Sequence, residues 1–159
     1  MPRRIPTPHP SPFPSWAEGR SDKPDPTPIL LEEKRNAEGI RVILSAYGLR
    51  DPNQADRNLD AMAGDPIQRR RLADILPMMM ESISRTADPD QALNHWERML
   101  ESVSRTSFLD YLRTSPRMLD LLCVIFGNSD ALTFTLIRDP TVVYWLAEED
   151  VLARPPTRK

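Results

Sequence analysis

Few side chains in this sequence are of the types that carry out chemistry, and they are widely separated. Cys123 is the one cysteine, it lies on an apolar helix face, and no histidine stands near it to activate a thiolate. His9 falls in a proline-rich segment. His95 has no metal-ligand spacing to another donor and is predicted to be a solvated helix residue. These residues predict neither a nucleophile nor a metal site.

Acidic residues come close to a metal-binding motif at Asp88-Pro89-Asp90. An Asp directly before Pro is also the usual start of a helix, and we favour that capping role. The acidic run at residues 148–150 lies near the end of a predicted helix, where it opposes the helix dipole. We interpret that run as a weakened last turn.

The turn Gly127-Asn128-Ser129-Asp130 suggests phosphate chemistry at first sight. A Gly-Ser turn can hold a triphosphate through backbone amides when a nearby Asp-x-Asp binds two magnesium ions. No Asp-x-Asp follows this turn, and no strand is predicted around it. Gly127 is instead expected to end one helix in the left-handed conformation, and Ser129 to cap the next. We therefore predict no catalytic residue and no bound cofactor.

Charge and hydropathy exclude several classes of partner. The formal net charge is −2 with both signs mixed, so no nucleic-acid footprint is visible. The densest basic cluster, Arg69-Arg70-Arg71, is either a solvated helix face or a patch that binds acids. No apolar run has the length of a membrane span or secretory signal, and the lone cysteine fits a reducing cytoplasm.

Capping residues before proline predict an all-α fold. Asp or Ser accepts hydrogen bonds from free amides of a first helical turn, and proline fits the first helical position. After residue 28, five such pairs occur, at Asp51-Pro52, Asp65-Pro66, Asp88-Pro89, Ser115-Pro116 and Asp139-Pro140. The first three are followed by glutamines in capping-box positions, namely Gln54, Gln68 and Gln91. The predicted helices are Leu31–Tyr47, Pro52–Met62, Pro66–Arg85, Pro89–Ser104, Ser107–Thr114, Pro116–Phe126, Asp130–Arg138 and Pro140–Leu152.

The last four of these helices repeat a pattern after 24 residues. Corresponding positions are Phe108 with Leu132, Leu112 with Leu136, Pro116 with Pro140, Leu119 with Val143, and Leu122 with Leu146. A helix pair of this size cannot bury its apolar stripe alone. We expect the two pairs to stack within a bundle of short antiparallel helices.

Composition divides the chain into three parts. Nine of the seventeen prolines precede Ile29, so residues 1–28 are predicted to be a disordered proline-rich tail. Residues 29–152 form the predicted helical domain, and residues 153–159 a second disordered tail. Within the domain, apolar residues of the last helix and a methionine run are candidates for a partner contact surface. The alternative is that both sets belong to the internal core, which we favour for the methionine run because Met fills irregular gaps. The candidates are Val142, Val143, Trp145, Leu146, Met78 and Met79.

Several segments taken in order resemble the glutamine synthetase adenylyltransferase family. They are residues 71–77, the Asp88-Pro89-Asp90 segment through residue 98, the run from Pro116 into Phe126-Gly127-x-Ser129, and Pro140 with Trp145-Leu146. The resemblance covers residues 65–152 and implies the helical region that precedes a nucleotidyltransferase domain. ATP and magnesium belong to that catalytic domain, whose Gly-Ser and Asp-x-Asp residues have no counterpart here.

The resemblance implies a context of nitrogen metabolism and leaves three hypotheses open. The first is a non-catalytic helical module that contacts an adenylyltransferase catalytic chain, glutamine synthetase or another copy of itself. The second is the N-terminal piece of an interrupted adenylyltransferase whose catalytic part is encoded separately. The third is a helical adaptor unrelated to nitrogen control.

Overall fold

The computed structural model describes residues 23–34 and 36–148, with the backbone alone for residues 146–148. Most of the predicted tail at residues 1–28, and all of residues 153–159, lie outside the described residues. The described part is all-α, as predicted, and contains no strand. Its helices are α1 Pro28–Leu31, α2 Ala37–Ala46, α3 Pro52–Ala63, α4 Pro66–Ser84, α5 Pro89–Glu101, α6 Arg105–Thr114, α7 Pro116–Asn128, α8 Asp130–Arg138 and α9 Thr141–Glu148. None of the described helices is long and apolar enough to cross a membrane.

The first predicted helix is wrong in extent, because Leu31–Tyr47 is divided between α1 and α2. The side chain of Asn36 accepts a hydrogen bond from the Gly39 amide at 3.1 Å and starts α2 there. Asn36 can start a new helix inside the segment that we predicted to be one continuous helix, because its side chain satisfies a free amide of the first turn.

The capping prediction holds at four of its five sites. The Asp51, Asp65 and Asp88 carboxylates each accept from the backbone amide three residues on, at 2.8–3.1 Å. The Asp139 carboxylate accepts from the backbone amide of Thr141, two residues on, at 3.3 Å, and Ser115 makes no side-chain bond of this kind. Only the glutamine at position 68 completes a capping box.

Each of the other two glutamines bonds instead to an asparagine of its own helix, and those two asparagines bond to each other between α3 and α5. Gln54 donates to Asn58 at 2.9 Å, Asn58 donates to Asn94 at 2.7 Å, and Asn94 donates to Gln91 at 3.1 Å. This chain of amides connects α3 with α5, and Asn58 within it is buried. The glutamine side chains therefore hold the two interface asparagines rather than the amides at the helix starts.

Helices α3, α5 and α7 pack side by side, and α4 packs against α3, α6 and α7. Residues of α4 and α6 pair in the same order along the chain, Gln68 with Thr106 at 3.1 Å and Arg71 with Asp110 at 2.9 Å. These two helices therefore run parallel, and α5 lies between them in the sequence. One core fills the array, and its largest fully buried side chains are Trp96, Phe108 and Phe126.

The two copies of the 24-residue pattern are not equivalent in the structure. Leu112 and Leu136 are both buried, as are Leu119 and Val143. Phe108, however, is fully buried in α6, whereas its counterpart Leu132 in α8 is 55% exposed. The first pair is covered by α4, whereas the main neighbours of α8 in the described chain are α5, α7 and α9. Stacking of the copies as equal units remains a prediction.

Candidate functional site

The Asp-Pro-Asp motif is used for folding at both of its acids. Asp88 caps α5, and the Asp90 carboxylate accepts hydrogen bonds from the backbone amides of Arg50 and Asp51 at 2.8 and 2.9 Å. The second acid therefore holds the loop between α2 and α3 against the start of α5. In the part of the chain that the structure describes, no cluster of three or more potential ligands is arranged to hold a metal ion.

The turn from Phe126 to Ser129 connects three helices. The carbonyl oxygen of Gly127 accepts from the Asp88 amide at 3.1 Å, and the side chain of Asn128 accepts from the Ala87 amide at 3.0 Å. Ser129 caps α8 by accepting from the Leu132 amide at 3.2 Å. These contacts show that the motif serves the packing of the helices. Ser129 caps α8, as predicted.

The prediction that Gly127 ends a helix in the left-handed conformation was wrong. Gly127 lies inside α7, which continues to Asn128, and only Gly48 and Gly64 among the described glycines have positive φ. A Cβ at Gly127 would lie 2.3 Å from the Thr86 hydroxyl oxygen and 2.4 Å from the Thr86 Cβ. The position requires glycine because the loop after α4 passes directly against the α7 backbone.

His95 was also predicted wrongly, because it is buried with 2% of its surface exposed. Its Nδ1 lies 2.8 Å from the carbonyl oxygen of Phe126, and its ring makes edge contacts with Phe126 and Phe134. Nε2 is 3.8 Å from the Asp130 carboxylate. The imidazole thus connects α5 with the end of α7 and the start of α8. Its neighbour Trp96 is equally buried, so the apolar face of α5 is wider than its stripe of aliphatic residues suggested.

Cys123 is a buried thiol, in agreement with its predicted core role. Its side chain is fully buried, and its sulfur lies 3.8 Å from the carbonyl oxygen of Met79. Burial raises the pKa of the thiol to about 12. A thiol with so little thiolate character does not serve as a nucleophile at neutral pH.

The predicted contact surface is divided between core and exterior. Met78 and Met79 are buried in α4, and Val143 is buried in α9, so these three belong to the internal core. Val142 is half-buried, Trp145 is 53% exposed, and the side chain of Leu146 lies outside the described residues. The Met residues fill the interior because α4 is covered by neighbours on several sides. Of the fully described candidates, Trp145 offers the most exposed surface.

Sequence reasoning missed three further exposed apolar side chains near Trp145 along the chain. Leu132 and Phe134 of α8 are 55% and 41% exposed, and Tyr144 of α9 is 39% exposed. Tyr144 nevertheless touches α6, with its ring centroid 5.2 Å from that of Tyr111. We call Leu132, Phe134, Tyr144 and Trp145 the C-terminal apolar residues. Their exposure follows from the few helices that cover α8 and α9, which no local sequence signal reports.

The basic cluster is partly paired. Arg69 contacts Asp60 at 2.7 Å, and Arg71 contacts Asp110 at 2.9 Å. Asp110 also accepts from Arg113 at 2.7 Å, and this hydrogen bond lowers the pKa of the Asp110 carboxyl. Beside these groups lies an open cleft of about 370 Å³ between the first turns of α4 and the last turn of α6.

Taken together, the described residues form an all-α scaffold in which the motifs act as caps and ties between helices. Comparison with known proteins shows which family this scaffold is similar to. The chain is 33% identical over 121 residues to the bifunctional glutamine synthetase adenylyltransferase/adenylyl-removing enzyme of Xanthobacter autotrophicus, and 29% identical over 127 residues to that of Corynebacterium glutamicum. These alignments cover 72% and 76% of the chain. The Streptomyces avermitilis enzyme is 34% identical over 101 residues, or 61% of the chain.

The predicted resemblance is therefore confirmed, and the chain is a relative of a segment of the glutamine synthetase adenylyltransferase family. The matched region amounts to 10–12% of the length of these curated relatives. No family model matches the chain. No solved structure matches it either.

Proposed function

We propose that this chain is a non-catalytic helical module that acts by protein–protein contact in nitrogen regulation in the cytoplasm. One observation carries the proposal: the C-terminal apolar residues stay exposed on two consecutive short helices, with Trp145 53% exposed. Single exposed apolar residues are ordinary on protein surfaces. Four large ones within fourteen positions are more typical of a surface that a partner covers.

The kinship with the adenylyltransferase segment supports a partner from the same system. The partners that we propose are an adenylyltransferase catalytic chain, glutamine synthetase, or a second copy of this chain. The mixed charges and the net charge of −2 favour a protein partner over nucleic acid or a membrane surface. We propose that the chain itself holds no ATP or magnesium, since Asp88, Asp90 and Ser129 already serve the fold.

The test compares two exposed apolar residues in different places. Immobilised chain is presented in turn with purified glutamine synthetase and purified adenylyltransferase from the native host, and light scattering measures self-association. Trp145→Ala should weaken the complex by tenfold or more, as expected for an aromatic residue at an interface worth at least ~1.4 kcal/mol. Val42→Ala is the matched control, because Val42 is 59% exposed on α2 at the other end of the array.

The outcome separates the proposals. Retention of either enzyme, or a dimer sensitive to Trp145→Ala, supports the interaction module. A monomer that retains neither enzyme would count against the nitrogen-regulation proposal and leave the unrelated adaptor as the better explanation.

The alternative is the helical part of an adenylyltransferase whose nucleotidyltransferase part is encoded separately. The small fraction of each relative that the match covers favours keeping this alternative. It is tested by incubating the chain with glutamine synthetase and labelled ATP, alone and with the products of neighbouring reading frames. We expect no label transfer by the chain alone. Transfer that requires both the chain and a neighbouring product supports the alternative.

A further inference from the structure

The cleft beside the arginine cluster has the composition of an anion site. Its walls are Pro66, Ile67, Arg70, Arg71 and Asp74 from α4, and Arg113 from the last turn of α6. The cleft is open to solvent and has a volume of about 370 Å³. The cleft exists because α4 and α6 run parallel and Asp110 joins their arginines.

The charges in this cleft do not cancel. Three guanidinium groups face two carboxylates, those of Asp74 in the wall and Asp110 beside it. Asp110 uses one oxygen atom, Oδ1, to accept from both Arg71 and Arg113. That shared acceptor fixes two of the guanidinium groups next to one another. The third, on Arg70, is exposed and has no ion-pair partner among the described residues.

The hydrogen-bonding capacity of the arginines is also incompletely used. The Nε atom of Arg71 is buried and has no acceptor within the described residues. Native proteins usually pair such donors. An oxyanion in the cleft would offset the excess positive charge, reduce the repulsion between the guanidinium groups and offer an acceptor to the arginines.

We propose that this cleft binds a small organic anion through a phosphate or carboxylate group held by Arg70, Arg71 and Arg113. Arginine suits this role because its planar fork of N–H groups matches the geometry of both oxyanions. Ile67, which is 64% exposed, and Pro66 form an apolar edge against which the remainder of such a ligand packs. This site is separate from the C-terminal apolar residues and does not depend on the proposed function.

The experiment uses amide chemical shifts of the full chain at constant ionic strength. Inorganic phosphate and succinate are titrated separately, with sodium chloride as the ionic control. We expect saturable shifts at residues 67–74 and 113. Arg70→Gln should raise the dissociation constant about tenfold, as expected for the loss of a charge-assisted hydrogen bond. It should leave the melting temperature unchanged, because Arg70 has no partner in the described fold.

Arg138→Gln is the matched control, because it removes one exposed positive charge from α8, away from the cleft. Saturable binding of either ligand that Arg70→Gln weakens and Arg138→Gln does not supports the site, and the tighter ligand identifies the oxyanion. Shifts that do not saturate, or equal weakening by both variants, would show only diffuse charge attraction and overturn the proposal.

Discussion

The Nδ1 atom of His95 lies 2.8 Å from the carbonyl oxygen of Phe126 in a site closed to solvent. A carbonyl oxygen can only accept, so Nδ1 carries the proton of this hydrogen bond. The bond joins the middle of α5 to the last turn of α7, where the backbone carbonyls of a helix lack partners within it. His95 is therefore a structural residue at the junction of α5, α7 and α8.

Replacing His95 by Ala should lower the free energy of unfolding by about 2–3 kcal/mol, from the lost hydrogen bond and the cavity between two aromatic rings. His95→Gln keeps a donor and should cost less. Urea unfolding of both variants measures the difference. Equal losses would show that ring packing, and not the bond to Phe126, accounts for the effect.

Replacing Gly127 by Ala should destabilise the protein by about 1–3 kcal/mol, because the new Cβ would overlap Thr86. Gly39→Ala is the comparison in α2, where the nearest atoms to the new Cβ belong to the capping side chain of Asn36 at 3.3 Å, so that a smaller shift is needed than at Thr86. Thermal unfolding compares the two. A Gly127→Ala protein as stable as the wild type would show that the loop at Thr86 moves away freely.

The two described tryptophans should differ sharply in their effect on stability. Trp96 is fully buried with its ring 4.9 Å from that of Phe126, so Trp96→Ala should cost about 3–5 kcal/mol. That loss is a large part of the ~5–15 kcal/mol expected for a domain of this size. Trp145→Ala should change stability by less than about 0.5 kcal/mol, because its side chain is 53% exposed. Melting temperatures test both, and a large loss at Trp145 would place that residue in the core.

Cys123 should not react with a thiol reagent at pH 8 while the chain is folded, because burial leaves the thiol both inaccessible and protonated. Urea-unfolded protein should react fully and serves as the positive control. Rapid reaction of folded protein would mean that the α4–α7 interface opens readily.

Stability should also depend on the ionisation of Cys123 at high pH. Its pKa is near 12 in the folded chain against an ordinary 9.0, so the unfolded chain releases its proton first. The contribution of the protonated thiol is therefore complete below pH 9 and is lost as the pH rises towards 12. The wild type should lose stability over this interval relative to Cys123→Ser, which has no thiol to ionise. Parallel pH profiles of the two proteins would contradict the raised pKa.

The sequence by itself determined where most helices begin. Asp51, Asp65 and Asp88 before proline define starts that the structure reproduces, because a cap and its amides lie within one turn of the chain. The same local information indicated the all-α class and the segment related to the adenylyltransferases.

Only the tertiary structure decided which faces are covered and which groups pair. Four relationships depend on neighbouring helices: the burial of His95, the contact of Gly127 with Thr86, the pairing of Asn58 with Asn94, and the joining of Arg71 to Arg113 through Asp110. They join residues about 30–40 positions apart, a separation that local periodicity does not encode. The exposure of Trp145 has the same origin, because burial depends on which helices cover a face and not on the residues within it.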